Sequence, residues 1–243
     1  MTAAAASTME RVGAEELLRL TQRARDLVEA GRVLAVQDVK GQRRHARISL
    51  EDGRLHLYSL QDTPPSPDAL ILQMGEVVPA TPPCEVFLDL SWPGSEARRV
   101  VVSLPRNNPS GRQFVLLCSG ERGACYANTK MHMVVLEGEP GECVWGGDYE
   151  NNTGKGGAAL LPELDVLEYW RSGKAGAVGG PKYNLPRGAQ FSITTKDQLP
   201  GDREFPGMFG EVVSGLEVVQ EAAKHDPITE VTVEQCGVLL PQQ

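Results

Sequence analysis

The sequence predicts a mainly β protein in three parts. These are an N-terminal amphipathic helix (residues 1–31), a small β module (residues 32–83) and a larger β domain carrying two helices (residues 84–243). Three observations predict it. Apolar residues recur at helical spacing before Gly31 and with a period of two after it. Lys40-Gly41 and Asp52-Gly53 punctuate the alternation as two-residue hairpin turns do. Two proline-rich stretches, Thr63-Pro64-Pro65-Ser66-Pro67 and residues 79–83, interrupt it as stiff connectors, and the second marks the boundary of the larger domain.

In chain order, Ser7 and Glu10 have the spacing of a capping box that opens the first helix, and Gly31 is a natural residue to end it. Leu17, Leu20, Ala24, Leu27 and Val28 form one stripe, which needs a partner surface. Residues 33–39, 44–50 and 54–60 read as three antiparallel strands, and residues 70–78 as one more. A meander and a helix bury little area, so this module is expected to lean on something larger. Residues 84–90 and 99–104 are strands around the turn at Trp92-Pro93-Gly94-Ser95. Ser110 and Gln113 have capping-box spacing ahead of a helix with Phe114, Leu116 and Leu117. Residues 131–135 and 142–145 are strands, followed by a corner at Gly146-Gly147-Asp148 and a glycine-rich loop through Gly157. Residues 164–170 suggest a local helical turn. A strand at residues 188–194, a second helix ending near Lys224 and a closing strand at residues 229–240 complete the chain.

Several of these stretches, in this order, resemble the cyclophilins, the peptidyl-prolyl isomerases built on a small β-barrel. Residues 114–123 resemble the family's first helix and its exit. Met131-His132-Met133 stands where the family has aromatic-His-Arg, Trp145-Gly146-Gly147-Asp148 where it has Gln-Gly-Gly-Asp, and residues 152–157 where it has Asn-Gly-Thr-Gly-Gly. Residues 188–193 and 208–219 resemble two further signatures. The resemblance covers nearly all of residues 84–243. It implies an eight-stranded antiparallel β-barrel capped by two helices, preceded by the helix-plus-meander module.

The scaffold glycines match the family; the chemical residues do not. Isomerisation of an X–Pro bond crosses a barrier of about 20 kcal/mol. By resemblance, the family lowers it with a guanidinium and an apolar seat for the proline ring. The arginine position is Met133, and a thioether donates nothing. The aromatic before the corner falls at or near Glu142, the corner glutamine is Trp145, and the floor phenylalanine is Ser192. The later tryptophan is Gln198, followed by the matching Leu199; the histidine falls at Arg203 or Glu204, beside an insertion at Pro206-Gly207. The edge that pairs with bound peptide is Gly180-Pro181, and Pro181 has no N–H to offer. Gln190 is kept. The expectation is therefore a catalytically silent cyclophilin acting as a structural or protein-binding subunit of a larger assembly, with proline-containing segments among its possible partners. An active or weakly active isomerase, with Arg203 swinging in as the donor, is the alternative. Peptide binding without turnover is a third reading.

The rest of the chain excludes more than it offers. A net charge of −8 over 243 residues argues against nucleic acid or an anionic membrane as the main partner. Arg43, Arg44, Arg47, Arg54 and His45 form a basic cluster, read as a solvated hairpin face rather than a phosphate-binding patch. The N-terminus lacks the pattern of a secretory signal, and five scattered cysteines without a CxxC pair suit reduced thiols in a cytoplasmic protein. By resemblance, a cytoskeletal, ciliary or nuclear complex would also suit. Gly154-Lys155 lacks the spacing of a phosphate loop, and the four histidines lie in separate elements, so no cofactor and no metal is expected. His132 reads as a barrel-wall residue rather than a general base.

Overall fold

The computed structural model describes residues 12–62, 64–165, 170–181, 185–202 and 204–242. Two short helices lead, α1 (Ala14–Leu18) and α2 (Gln22–Glu29), where the sequence suggests one. Leu20 takes a left-handed conformation (φ 49), and the Thr21 hydroxyl accepts from the Ala24 N–H at 3.4 Å, starting a second helix. The stripe survives the break: Leu17, Ala24 and Val28 are buried, with Leu20 and Leu27 packed against the core. The second helix gives out at Gly31 (φ 67), as expected. The Ser7–Glu10 box lies outside the described residues.

The meander follows as β1 (Val33–Val39), β2 (Gln42–Glu51) and β3 (Arg54–Tyr58). Lys40 and Gly41 have φ of 54 and 80, and Asp52 and Gly53 of 50 and 75, as type I′ turns require. Residues 70–78 are not one strand. β4 (Leu70–Gln73) runs parallel to β1, and α3 (Met74–Val77) turns away from it.

The larger part opens with β5 (Cys84–Trp92) and β6 (Ser95–Leu104), followed by α4 (Pro109–Ser119). The cap of α4 is Asn108, whose side chain accepts from the Gly111 N–H at 2.8 Å; Pro109 sits in the first turn. This displaces the expected Ser110 cap, because Asn-Pro is itself a complete start signal. Then come β7 (Thr129–Lys130), β8 (Met133–Val135), β9 (Cys143–Gly146), β10 (Trp170–Ser172) and β11 (Ala177–Gly179). β12 (Phe191–Thr194), β13 (Phe205–Ser214), α5 (Leu216–Ala222) and β14 (Thr232–Leu239) finish the chain. A 3-10 turn at Pro162–Asp165 occupies the start of the expected helical turn, and residues 166–169 lie outside the described residues.

Among the described residues the strands join in the order β4-β1-β2-β3-β14-β5-β6-β13-β11-β12-β9-β8, with β10 on β13 and β7 on β14. The meander is thus hydrogen-bonded to the rest through the C-terminal strand, Tyr58 opposite Gly237 and His56 opposite Leu239. Gly237 is required there: a Cβ would lie 2.0 Å from the Leu57 carbonyl oxygen and 2.6 Å from the Phe87 ring. One apolar core runs under both parts, from Val33 and Leu55 to Phe114 and Phe191. On the other face, Arg99 grips Asp89 through two bonds of 2.8 Å and also donates to Glu51 and to the Tyr58 hydroxyl, tying the meander to β5 and β6. No helix among the described residues is long and apolar enough to cross a membrane.

Residues 129–135 position the candidate site. At one end Thr129 and Lys130 pair with Val233 and Thr232 of β14. At the other, Met133–Val135 pair with residues 143–145 of β9.

Candidate functional site

The site begins at the corner that ends β9. Gly147 has φ 90, and a Cβ on it would meet Phe191 at 2.8 Å, the Ala189 carbonyl at 2.9 Å and Tyr126 at 3.0 Å. Tyr126 and Phe191 belong to an aromatic cluster with Phe114, their ring centroids 5.1–5.3 Å apart, so the corner lies directly on the core. Asp148 follows, with no exposed surface. Its carboxylate accepts from the backbone N–H groups of Glu150, Asn151, Thr153, Gly154 and Gly156, at 2.8–3.2 Å. Burial alone would raise its pKa; these donors outweigh burial and hold it below the usual 3.8. Gln190, itself buried, closes the loop, its amide donating to the Gly154 and Gly156 carbonyls at 3.0 and 2.8 Å. The His132 ring packs on Gly154, where a Cβ would come within 2.6 Å of it, and burial lowers its pKa. His132 thus lies against the loop.

Beside this corner runs a row of cross-strand partners. Met133 faces Trp145, Trp145 faces Ser192, Ser192 faces Gly179, and Gly179 faces Met208. Their strand neighbours Val134, Val144, Val178 and Ile193 belong to or pack against the core, so by alternation the row faces away from it. Met133 is 44 % exposed and offers neither a proton nor a charge. Trp145 is half-buried. Ser192 is buried. Met208 lies over Gly179, within 2.7 Å of where a Cβ would be.

The remaining expected positions divide. The Gly180 N–H is occupied by the Gly207 carbonyl at 3.2 Å, so the Pro206-Gly207 insertion covers the edge whose next residue, Pro181, has no donor. Glu142 is not part of the row. It is buried, and its carboxylate accepts from the Thr195 hydroxyl and the Gly138 N–H, both at 2.6 Å, and pairs with Lys196 at 3.1 Å. Burial would raise its pKa, but these bonds prevail and lower it. Gln198 packs near Gly141 and Gly173, and Leu199 is 58 % exposed. Arg203 lies outside the described residues. Sequence reasoning missed the cover formed by Gly207 and Met208, for which the insertion was the available signal. It also missed the exposed Leu136 beside Glu137 and Glu139.

Comparison with known proteins agrees with the geometry. The sequence profile described as cyclophilin type peptidyl-prolyl cis-trans isomerase/CLD matches residues 96–238. The NK-tumor recognition proteins of Mus musculus and Homo sapiens are each 31% identical over 147 residues, which is 53% of this chain and 10% of theirs. A peptidyl-prolyl cis-trans isomerase of Encephalitozoon cuniculi (strain GB-M1) is 28% identical over 167 residues, 63% of this chain and 94% of that protein. The chain thus spans about one tenth of the two longer relatives.

Proposed function

The chain belongs to the cyclophilin-type peptidyl-prolyl cis-trans isomerase family, and on that premise we propose that it is a catalytically silent member serving as a protein-binding subunit of a larger assembly. Counted as one strand, residues 129–135 join β14 to β9, and the path through β5, β6, β13, β11 and β12 then comprises eight strands. In this reading α4 and α5 cap the family's barrel, residues 84–243 form the cyclophilin unit, and residues 32–83 extend its sheet, following residues 1–31.

The single observation that carries the proposal is Met133, exposed on the row where the family presents its guanidinium. Loss of one preorganised donor lowers a rate by about 100- to 1000-fold. The covered Gly180 edge and the polar floor at Ser192 point the same way. Fold and chemistry separate readily in this manner. Leu136 and Leu199, both exposed, offer apolar contacts for a protein partner, with Glu137 and Glu139 beside them. The thiols of the described cysteines are all free, which suits the reducing, cytoplasmic setting proposed here. Trp145 favours a second reading, peptide binding without turnover, because a half-buried indole can stack on a proline ring.

A protease-coupled assay on an Ala-Pro peptide tests the proposal. The expected rate equals that of the uncatalysed reaction; a rate near that of active relatives overturns it. Titration of the same peptide by NMR tests the second reading, which fails if no shifts appear around Gln190 and Phe191.

A further inference from the structure

The basic cluster of the meander is not one surface. Arg44 pairs with Asp62 at 2.8 Å and Arg54 with Glu85 at 2.6 Å. Arg47 has no carboxylate partner among the described residues. Its guanidinium lies 3.7 Å over the Tyr58 ring instead, which fixes its plane and leaves its N–H edge unused. His45 on the same strand face is held by two backbone bonds to Gln61, at 2.9 and 2.8 Å, while its Nδ1 is buried without a partner.

Both side chains line a cavity of about 340 Å3 at the seam between the meander and β14. This is within the size range of small-ligand pockets. Leu34, Pro64 and Pro65 supply apolar wall, and Gln61 and Gln235, whose side-chain amides make no hydrogen bond among the described residues, also line it. The cavity is built from other strands than the row at Met133, so it is a separate site.

We propose that this cavity binds a peptide carboxylate: an acidic side chain seated on Arg47 and His45, with a neighbouring apolar residue against Leu34 and Pro65. The charge balance selects a monoanion. Behind Tyr58, Glu51 and Asp89 share the single guanidinium of Arg99, which leaves one net negative charge nearby. A dianionic phosphate would meet that charge with only Arg47 to offset it, whereas one carboxylate is matched by one guanidinium. The two free amides can meet the N–H and C=O groups of a peptide backbone.

The test is a heteronuclear NMR titration of the full chain with N-acetyl-Leu-Glu-amide, N-acetyl-Leu-Gln-amide and inorganic phosphate. Saturable shifts at His45, Ser59, Gln61 and Gln235 are expected with the glutamate peptide, and binding at least tenfold weaker with the other two probes. Arg47→Gln should lose the same tenfold, while Arg43→Gln, at an exposed arginine outside the cavity, should keep full affinity; both variants should retain the amide spectrum elsewhere. Absence of saturable shifts, equal binding of the glutamine peptide, tighter binding of phosphate, or an Arg47→Gln variant that binds like the parent would overturn the proposal.

Discussion

The glycine corner and the row beside it are joined by a single peptide bond, between Trp145 and Gly146, yet they obey different rules. At the corner each residue is fixed by backbone geometry. Five N–H groups converge on Asp148, and Gly147 has no room for a methyl group. On the row the side chains of Met133 and Trp145 reach outward, so exchanging one for another leaves the frame untouched. A frame of this kind can therefore be kept while the side chains beside it change, because the two are stored in different residues.

The largest test of this contrast is Asp148→Ala. Removing the buried carboxylate that five backbone donors share should cost about 3 kcal/mol or more, read as a lower midpoint in chemical denaturation. Met133→Ala, on the row, should change the midpoint by less than about 0.5 kcal/mol. Gly147→Ala comes next, at about 2 kcal/mol, since the new Cβ must push on Phe191 and Ala189 while φ stays positive.

A smaller effect appears with pH. Asp148, Glu142 and Glu51 all have lowered pKa values, Glu51 reaching about 2 through bonds from Ser49, Tyr58 and Arg99 that outweigh its burial. A carboxylate held low in the fold adds stability that is complete above its unfolded pKa, 4.5 for Glu51, and is lost as pH falls through the folded value. Stability should begin to fall below about pH 6.5, where His132 and His56 take up protons in the unfolded chain that burial resists in the fold, and fall further as the solution is acidified from pH 4.5 toward 2. Glu51→Gln should remove about one proton from that uptake, measurable as a shallower acid limb. The smallest effect is expected from restoring chemistry. Met133→Arg with Trp145→Gln should raise isomerase activity several-fold at most, short of the 100-fold a donor supplies elsewhere, because the Gly180 edge stays covered and Ser192 stays polar. A full recovery would show that Met133 and Trp145 alone account for the proposed silence.

What the sequence revealed follows the same division. The turns at Lys40-Gly41 and Asp52-Gly53, the stop at Gly31 and the glycine corner were legible, since each is a local backbone demand written in glycine. The break at Leu20 was hidden by a stripe that continues across it, and Ser110 offered a cap that Asn108-Pro109 had already supplied. Glu142 was matched to the family's aromatic before the corner, and its bonds to Thr195 and Lys196 stayed hidden because these partners lie more than fifty residues away and no local pattern announces them. The join between β3 and β14 is also non-local, although Gly237 within a strand was a sign of close backbone approach.

The most direct test of the central claim is NMR exchange spectroscopy on a proline peptide with a near-stoichiometric amount of the unmodified protein, which reads cis–trans interconversion without a coupling enzyme. Silence of the row predicts no exchange cross-peaks on the second timescale, as for the peptide alone. Cross-peaks at the rate an active relative gives under the same conditions would contradict it.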